Sequence, residues 1–170
     1  YKRLKKEFTG VLTGKGISGG GSLIRPEATG YGVVYIIQKM REHQGEGFKG
    51  KKVVISGSGN VAQYAAEKVI QLGGTVLTLS DSSGYIYDKA GIDKEKLSHI
   101  MELKNKRRAR VNVYLKKYPK AEFFQNSKPW EVPCDIAIPC ATQNELAEKD
   151  ADLLIKNNCT GKLERINAAY

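Results

Sequence analysis

Residues 51–72, KKVVISGSGNVAQYAAEKVIQL, decide the fold. Val53, Val54 and Ile55 form a short β-branched apolar run suited to a buried strand. A glycine turn follows at Gly57 and Gly59, and then an apolar series at helical spacing: Val61, Ala65, Val69 and Leu72. Strand, glycine turn and helix together are the context in which G-x-G-x-x-A describes a dinucleotide-binding turn. Gly57 permits the tight turn, Gly59 leaves the backbone open to a pyrophosphate, and Ala62 is small enough for helix and strand to pack closely. The helix N-terminus then presents free N–H groups and the positive end of its dipole. A glycine turn used only for packing is the competing reading, and the residues further along weigh against it.

Working outward, the same alternation recurs. Before the turn, Pro26 marks a break. Glu27 and Thr29 open a helix whose apolar face is Val33, Val34, Ile36, Ile37 and Met40, ended by Gly45 and Gly47. After it, Thr75–Ser80 reads as a second buried strand ending in the polar turn Ser80–Gly84, and Tyr85–Asp88 as a brief hairpin arm. The pattern predicts one long helix over Asp93–Lys117, stopped by Pro119. A short strand over Ala121–Phe124, a buried strand over Cys134–Pro139 and a helix over Ala147–Asn157 follow. Tyr1–Phe8 reads as charged helix and Thr9–Ser22 as a packed glycine-rich loop. The fold class is therefore α/β, a Rossmann-like doubly wound, mainly parallel sheet with helices on both faces. Ligands of such sheets lie outside the carboxyl ends of the strands, which selects Ser56–Asn60, Ser80–Ser83 and Cys140–Asn144.

Asp81 lies about 20 residues beyond the glycine turn, where an acid usually bonds ribose hydroxyls and favours NAD. Its neighbours Ser80, Ser82 and Ser83 favour a phosphate instead. In the predicted long helix, Leu97, Lys104, Val111 and Tyr118 recur every seven residues, so Lys104 falls in an apolar line, and Arg110 falls in line with Leu103. A cation on an inward face needs a partner, and a ribose 2′-phosphate would supply one. The competing reading is that Lys104 snorkels and Arg110 is solvated.

Composition bounds the rest. At 170 residues, 41% hydrophobic and 27% charged, the chain fits one globular domain. No apolar run approaches the ~18 residues that span a membrane, and the basic N-terminus has no apolar stretch of the secretory type. The missing initiator Met is read as the mark of a fragment. Three cysteines without metal-ligand or redox-motif spacing fit a reducing cytoplasm and read as small apolar core or surface thiols. His43 and His99 read as surface or core residues, and no metal site is expected. The net charge of +10 invites a nucleic-acid reading, but Lys104–Lys120 supplies most of the excess, with eight Lys or Arg and no acid. A solvated helix face explains it, and neither nucleic acid nor membrane is expected as a partner.

The stretches FTGVLTGKG (8–16), GGSLIRPEATGYG (20–32), GSGNVA (57–62), SDSSG (80–84) and PCATQNEL (139–146) closely resemble, in order, the coenzyme-binding domain of the hexameric glutamate dehydrogenases. The resemblance runs from about Tyr1 to Thr160 and implies reversible oxidative deamination of L-glutamate to 2-oxoglutarate and ammonium. It implies NADP as cofactor, with NAD as the alternative. It places Arg25 and Thr29 near the nicotinamide, and Ser58, Gly59, Asn60 and Val61 at the pyrophosphate and adjoining ribose. Ser80, Asp81, Ser82, Lys104 and Arg110 fall at the 2′-phosphate, and Ala141, Thr142 and Asn144 by the nicotinamide ribose. Gly19 replaces the family's usual aromatic residue, and residues 161–170 do not align by motif. No catalytic residue is assigned within these 170 residues, because the family carries those in a substrate domain N-terminal to this stretch. The resemblance therefore implies a homohexamer for the full-length protein, and glutamate or 2-oxoglutarate binding only with that substrate domain. The chain itself is expected to be a monomeric single domain that binds a dinucleotide without turning over glutamate. A basic nucleic-acid-binding module and a truncated chain with only a structural role are the two alternative readings.

Overall fold

The computed structural model describes residues 17, 25–157, 159 and 161–162. The readings of Tyr1–Phe8, of residues 9–22 apart from Ile17, and of the tail beyond Lys162 lie outside the described residues. The elements, in order, are α1 (Arg25–Glu42), β1 (Lys52–Ile55), α2 (Asn60–Gln71), β2 (Thr75–Asp81), β3 (Gly84–Ile92), α3 (Lys94–Met101), β4 (Glu122–Gln125), β5 (Ile136–Ile138), α4 (Glu148–Lys156) and β6 (Gly161–Lys162).

The strands form one six-stranded sheet in the order β4-β3-β2-β1-β5-β6. β2, β1, β5 and β6 run parallel to one another, and β3 pairs antiparallel with β2 and β4. The mainly parallel α/β architecture read from the sequence is the observed one. The chain leaves β1 towards β2 on one side, while β5 flanks β1 on the other. The strand-order reversal, where such sheets bind ligands, therefore lies between β1 and β5.

Period-two alternation distributes the strand side chains to two buried faces. Val53 and Ile55 of β1 and Ile136 and Ile138 of β5 join Ala62, Ala65, Ala66 and Val69 of α2 on one face. Val54 and Ala137 point to the other, against Trp130 and Leu154. Both faces are covered, which is why these strands read as continuous apolar runs. Each buried Val or Ile contributes about 1.5–3 kcal/mol. No described helix is long and apolar enough to cross a membrane.

The expected helix over Asp93–Lys117 is not continuous. α3 starts at Asp93, whose carboxylate accepts the Lys96 N–H at 2.9 Å as an N-cap. It ends at Met101, a π-helical turn follows over Glu102–Lys106, and Arg108 turns the chain at φ 50°. A 3₁₀ helix, Val111–Lys116, then lies across the sheet, anchored where the Tyr114 hydroxyl donates to Asp88 at 2.8 Å. The physical reason is a competing acceptor. In a continuous helix the Val111 N–H would bond the carbonyl four residues back; here it donates to the Asp81 carboxylate at 2.9 Å. β3 is also longer than the brief arm expected, because its glycine-punctuated end still pairs with β2, Ile92 opposite Val76.

Candidate functional site

The three strand ends picked out by the topology meet at Ser56 and Gly57. Gly57 has φ +80°, and a Cβ there would lie 2.9 Å from the Cys140 carbonyl oxygen and 3.1 Å from Ala141 Cα. Only glycine fits both the turn and the approach of the β5 loop. Its N–H donates to Ser80 Oγ at 2.7 Å, and the Ser80 N–H returns to the Gly57 carbonyl at 3.0 Å, tying β1 to β2. Ser56, buried, ties β1 to β5. Its Oγ accepts the Cys140 N–H at 2.9 Å and donates to Glu145 Oε1 at 2.8 Å, which also accepts the Ala141 N–H at 3.0 Å. Every polar group in this knot is partnered, as burial requires.

The N-terminus of α2 has the opposite character. Gly59 is its N-cap, no side chain caps it, and its first turn carries no acid. Gly59 has an extended backbone, and no atom of the described residues lies within 4 Å of the Cβ position. The protein's own packing and conformation therefore do not require glycine here. Uncapped N–H groups with a helix dipole suit an anion. The expected pyrophosphate residues are gathered at this point. The Ser58 carbonyl accepts from Gln63 Nε2 at 2.8 Å, and Asn60 Nδ2 donates to the Pro26 carbonyl in the first turn of α1. That contact brings the starts of α1 and α2 together, with Thr29 one turn into α1 and Arg25 at its first residue. Asn60, Ala141, Thr142 and Asn144 are exposed, Asn144 with φ 54°.

At the β2 end the structure brings Asp81, Ser82, Ser83, Lys104 and Arg110 together. Asp81 Oδ1 accepts the Ser83 N–H at 2.9 Å and the Ser83 hydroxyl; Oδ2 accepts Lys104 Nζ at 3.1 Å and the Val111 N–H at 2.9 Å. Burial pushes the Asp81 carboxyl up, but the hydrogen bonds from Ser83, Val111 and Lys104 outweigh it and hold it below the usual carboxylate range. Arg110 Nη1 donates to Ser82 Oγ.

Two sequence expectations are corrected here. Lys104 does not wait on a ligand for its partner, since Asp81 supplies one. The seven-residue stripe that placed it rests on a helix that is broken. Sequence reasoning also missed Ser56, Glu145 and Gln63. Gln63 is buried, and its side-chain amide pairs reciprocally with that of Asn105, at 3.0 and 3.2 Å, holding the π-helical turn against α2. A polar residue on the inward stripe of α2 was the available signal. Among the described residues, no three His, Cys, Asp or Glu side chains converge as a metal site. A cavity of about 390 Å³ beside α3 and the π-helical turn is lined by Glu95, His99, Glu102, Asn105, Lys106 and Lys117.

Residues 20–169 match the family model of glutamate/leucine/phenylalanine/valine dehydrogenases. A glutamate dehydrogenase of Bacteroides thetaiotaomicron is 56% identical over 167 residues, covering 98% of this chain and 37% of that protein. An NADP-specific glutamate dehydrogenase of Giardia intestinalis is 54% identical over 158 residues, covering 91% and 35%. The solved structure of Plasmodium falciparum glutamate dehydrogenase 2 superposes with a TM-score of 0.86 at 55% identity, covering 96% of this chain and 36% of that one. The chain thus spans little more than a third of the length of these relatives. Relatives named NADP-specific, NAD(P)-specific and NAD-specific lie between 49% and 54% identity, so identity alone does not rank the cofactors.

Proposed function

The chain belongs to the glutamate/leucine/phenylalanine/valine dehydrogenase family, and we propose that it is the coenzyme-binding domain of an NADP-dependent glutamate dehydrogenase. The observation that carries this reading is the uncapped start of α2 with open space in front of Gly59, set beside two cations gathered at the end of β2.

The bound dinucleotide supplies the hydride acceptor or donor for the interconversion of L-glutamate and 2-oxoglutarate with ammonium. What this chain does is bind and orient it. The N–H groups of the first α2 turn, with Ser58, Gly59, Asn60 and Val61, face the pyrophosphate and adjoining ribose. Ser82, Lys104 and Arg110 face the ribose 2′-phosphate, while Asp81 holds Lys104 in position; Ser80, expected there from the sequence, is buried with its Oγ on the Gly57 N–H and shapes the end of β2 instead. Arg25 and Thr29, at the start of α1, serve the nicotinamide side, with Ala141, Thr142 and Asn144 at its ribose. A charge-assisted hydrogen bond made only to a 2′-phosphate is worth about 1.5–3 kcal/mol, about ten- to a hundredfold in affinity. That preference selects NADP, and NAD binds the same cleft more weakly.

Glutamate turnover, a homohexameric assembly and a cytoplasmic location are proposed for the whole protein. The 170 residues are read as one domain that binds the dinucleotide as a monomer without turning over glutamate.

Titrating the purified chain with NADPH, followed by nicotinamide fluorescence, tests the site. We expect saturable binding that Gly59→Ala weakens about tenfold or more, because a methyl group then stands where the pyrophosphate approaches. Folding stability should fall by about 1 kcal/mol or less, the cost of Ala at an N-cap. Binding unchanged by Gly59→Ala would contradict the placement.

A further inference from the structure

Cys134 and Cys159 stand apart from the cleft. Their sulfurs lie 3.8 Å apart, Cys134 Sγ facing Cys159 Sγ, and both side chains are buried. The contact follows from the sheet. β5 and β6 are parallel neighbours with Ile136 opposite Gly161, and each cysteine precedes its paired residue by two positions. Cys134 thus lies just ahead of β5 and Cys159 just ahead of β6, on the same end of the two strands. Adjacent strands lie about 4.8 Å apart, inside the Cα separation a disulfide spans. Both backbones are held there. The Cys159 N–H donates to the Leu154 carbonyl at 3.0 Å, and the Asp135 N–H to the Lys52 carbonyl at 2.9 Å. Cys140 lies at the opposite end of β5, with its N–H on Ser56 Oγ, so it cannot compete for either partner.

We propose that Cys134 and Cys159 form a reversible disulfide under peroxide, a redox staple that joins β5 to β6 while Cys140 remains a thiol. The closed loop, residues 134–159, contains α4 and the Cys140–Glu145 rim of the cleft. One cysteine sulfur attacks a peroxide oxygen and the O–O bond breaks, leaving a sulfenic acid and one water. The second sulfur attacks the sulfenic sulfur, the S–S bond forms, the S–O bond breaks, and a second water leaves. Two thiols lose two electrons and two protons, and the peroxide takes up both. The hydrogen bond between the thiols and their burial hold Cys134 protonated. A protonated, buried thiol attacks peroxide slowly, so closing the link needs sustained oxidant. This inference is independent of the coenzyme reading.

The test is a non-reducing peptide map of the folded chain after hydrogen peroxide treatment. The expected product links the Cys134 and Cys159 peptides, two hydrogens lighter than their sum, and reverts with dithiothreitol. The oxidised chain should melt about 5 °C or more above the reduced one, since the link removes loop entropy from the unfolded state. Cys140→Ser should keep both effects, and Cys134→Ser and Cys159→Ser should lose both. The wild-type map does not depend on those variants folding, and the same treatment in guanidinium gives the statistical mixture of pairings for comparison. That mixture from the folded chain, links between two chains, or oxidation to sulfinic acid without a link would each overturn the proposal.

Discussion

Asp81 occupies the position where an acid would usually bind ribose hydroxyls and repel a 2′-phosphate. Here both of its oxygens are already engaged, by Ser83, Val111 and Lys104. On the proposed reading it acts on the cofactor through Lys104, not by direct contact. Asp81→Asn should therefore lower NADPH affinity several-fold and change NADH affinity less, although it removes a negative charge; a gain in NADPH affinity would restore the repulsion reading. The same variant has a pH signature. A carboxyl held below its usual range stabilises the fold fully above the unfolded value, about 4, and that contribution is lost as pH falls through the depressed folded value. Urea midpoints measured from about pH 6 down to about pH 3 should fall more steeply for the wild type than for Asp81→Asn. At this scale the sequence was half legible. Gly57, Gly59 and the Ser80–Ser83 turn announce themselves by type and spacing. The Lys104–Asp81 pair does not, because it forms only once the chain has left helical geometry.

Among the elements, α1 and α2 meet at Gly30, where a Cβ would lie 2.6 Å from the Val61 carbonyl oxygen and 2.7 Å from the Ala65 nitrogen. Backbone cannot move aside as a flexible side chain does. Gly30→Ala should cost about 2 kcal/mol of stability despite the better helix propensity of alanine. Two residues on in the same helix, no atom of the described residues lies within 4 Å of a Cβ at Gly32, so Gly32→Ala should stabilise by about 0.5–1 kcal/mol. Chemical denaturation of the two variants in parallel checks the pair, and equal effects would mean that the helices do not pack at Gly30. β1 and β2 were readable as continuous apolar runs and α2 by its periodic apolar face; of the face read for α1, Val33, Val34 and Ile37 are buried but Ile36 and Met40 are exposed. Residues 93–117 were not, since their periodicity continues through a point where Asp81 takes the Val111 N–H. Tertiary competition for one backbone donor leaves no trace in a hydrophobic pattern.

Over the whole molecule, the sheet order puts the strand-order reversal between β1 and β5, and the proposed cofactor preference rests on charge. The chain carries a net charge of +10. Several cations of the basic run are engaged within the fold: Lys104 on Asp81, Arg107 on Glu102, Arg110 on Ser82 and Lys117 on Glu95. That use of the run favours a built phosphate pocket over a loose electrostatic surface for nucleic acid. The central claim, that the end of β2 reads a 2′-phosphate, is tested most directly by titrating the purified chain with NADPH and NADH side by side, as wild type and as Lys104→Ala, at two salt concentrations. The account predicts tighter NADPH binding, a loss for Lys104→Ala of about ten- to a hundredfold with NADPH, and little change with NADH. Equal affinities for the two dinucleotides, equally affected by the substitution, would contradict it and leave Lys104 as the structural partner of Asp81.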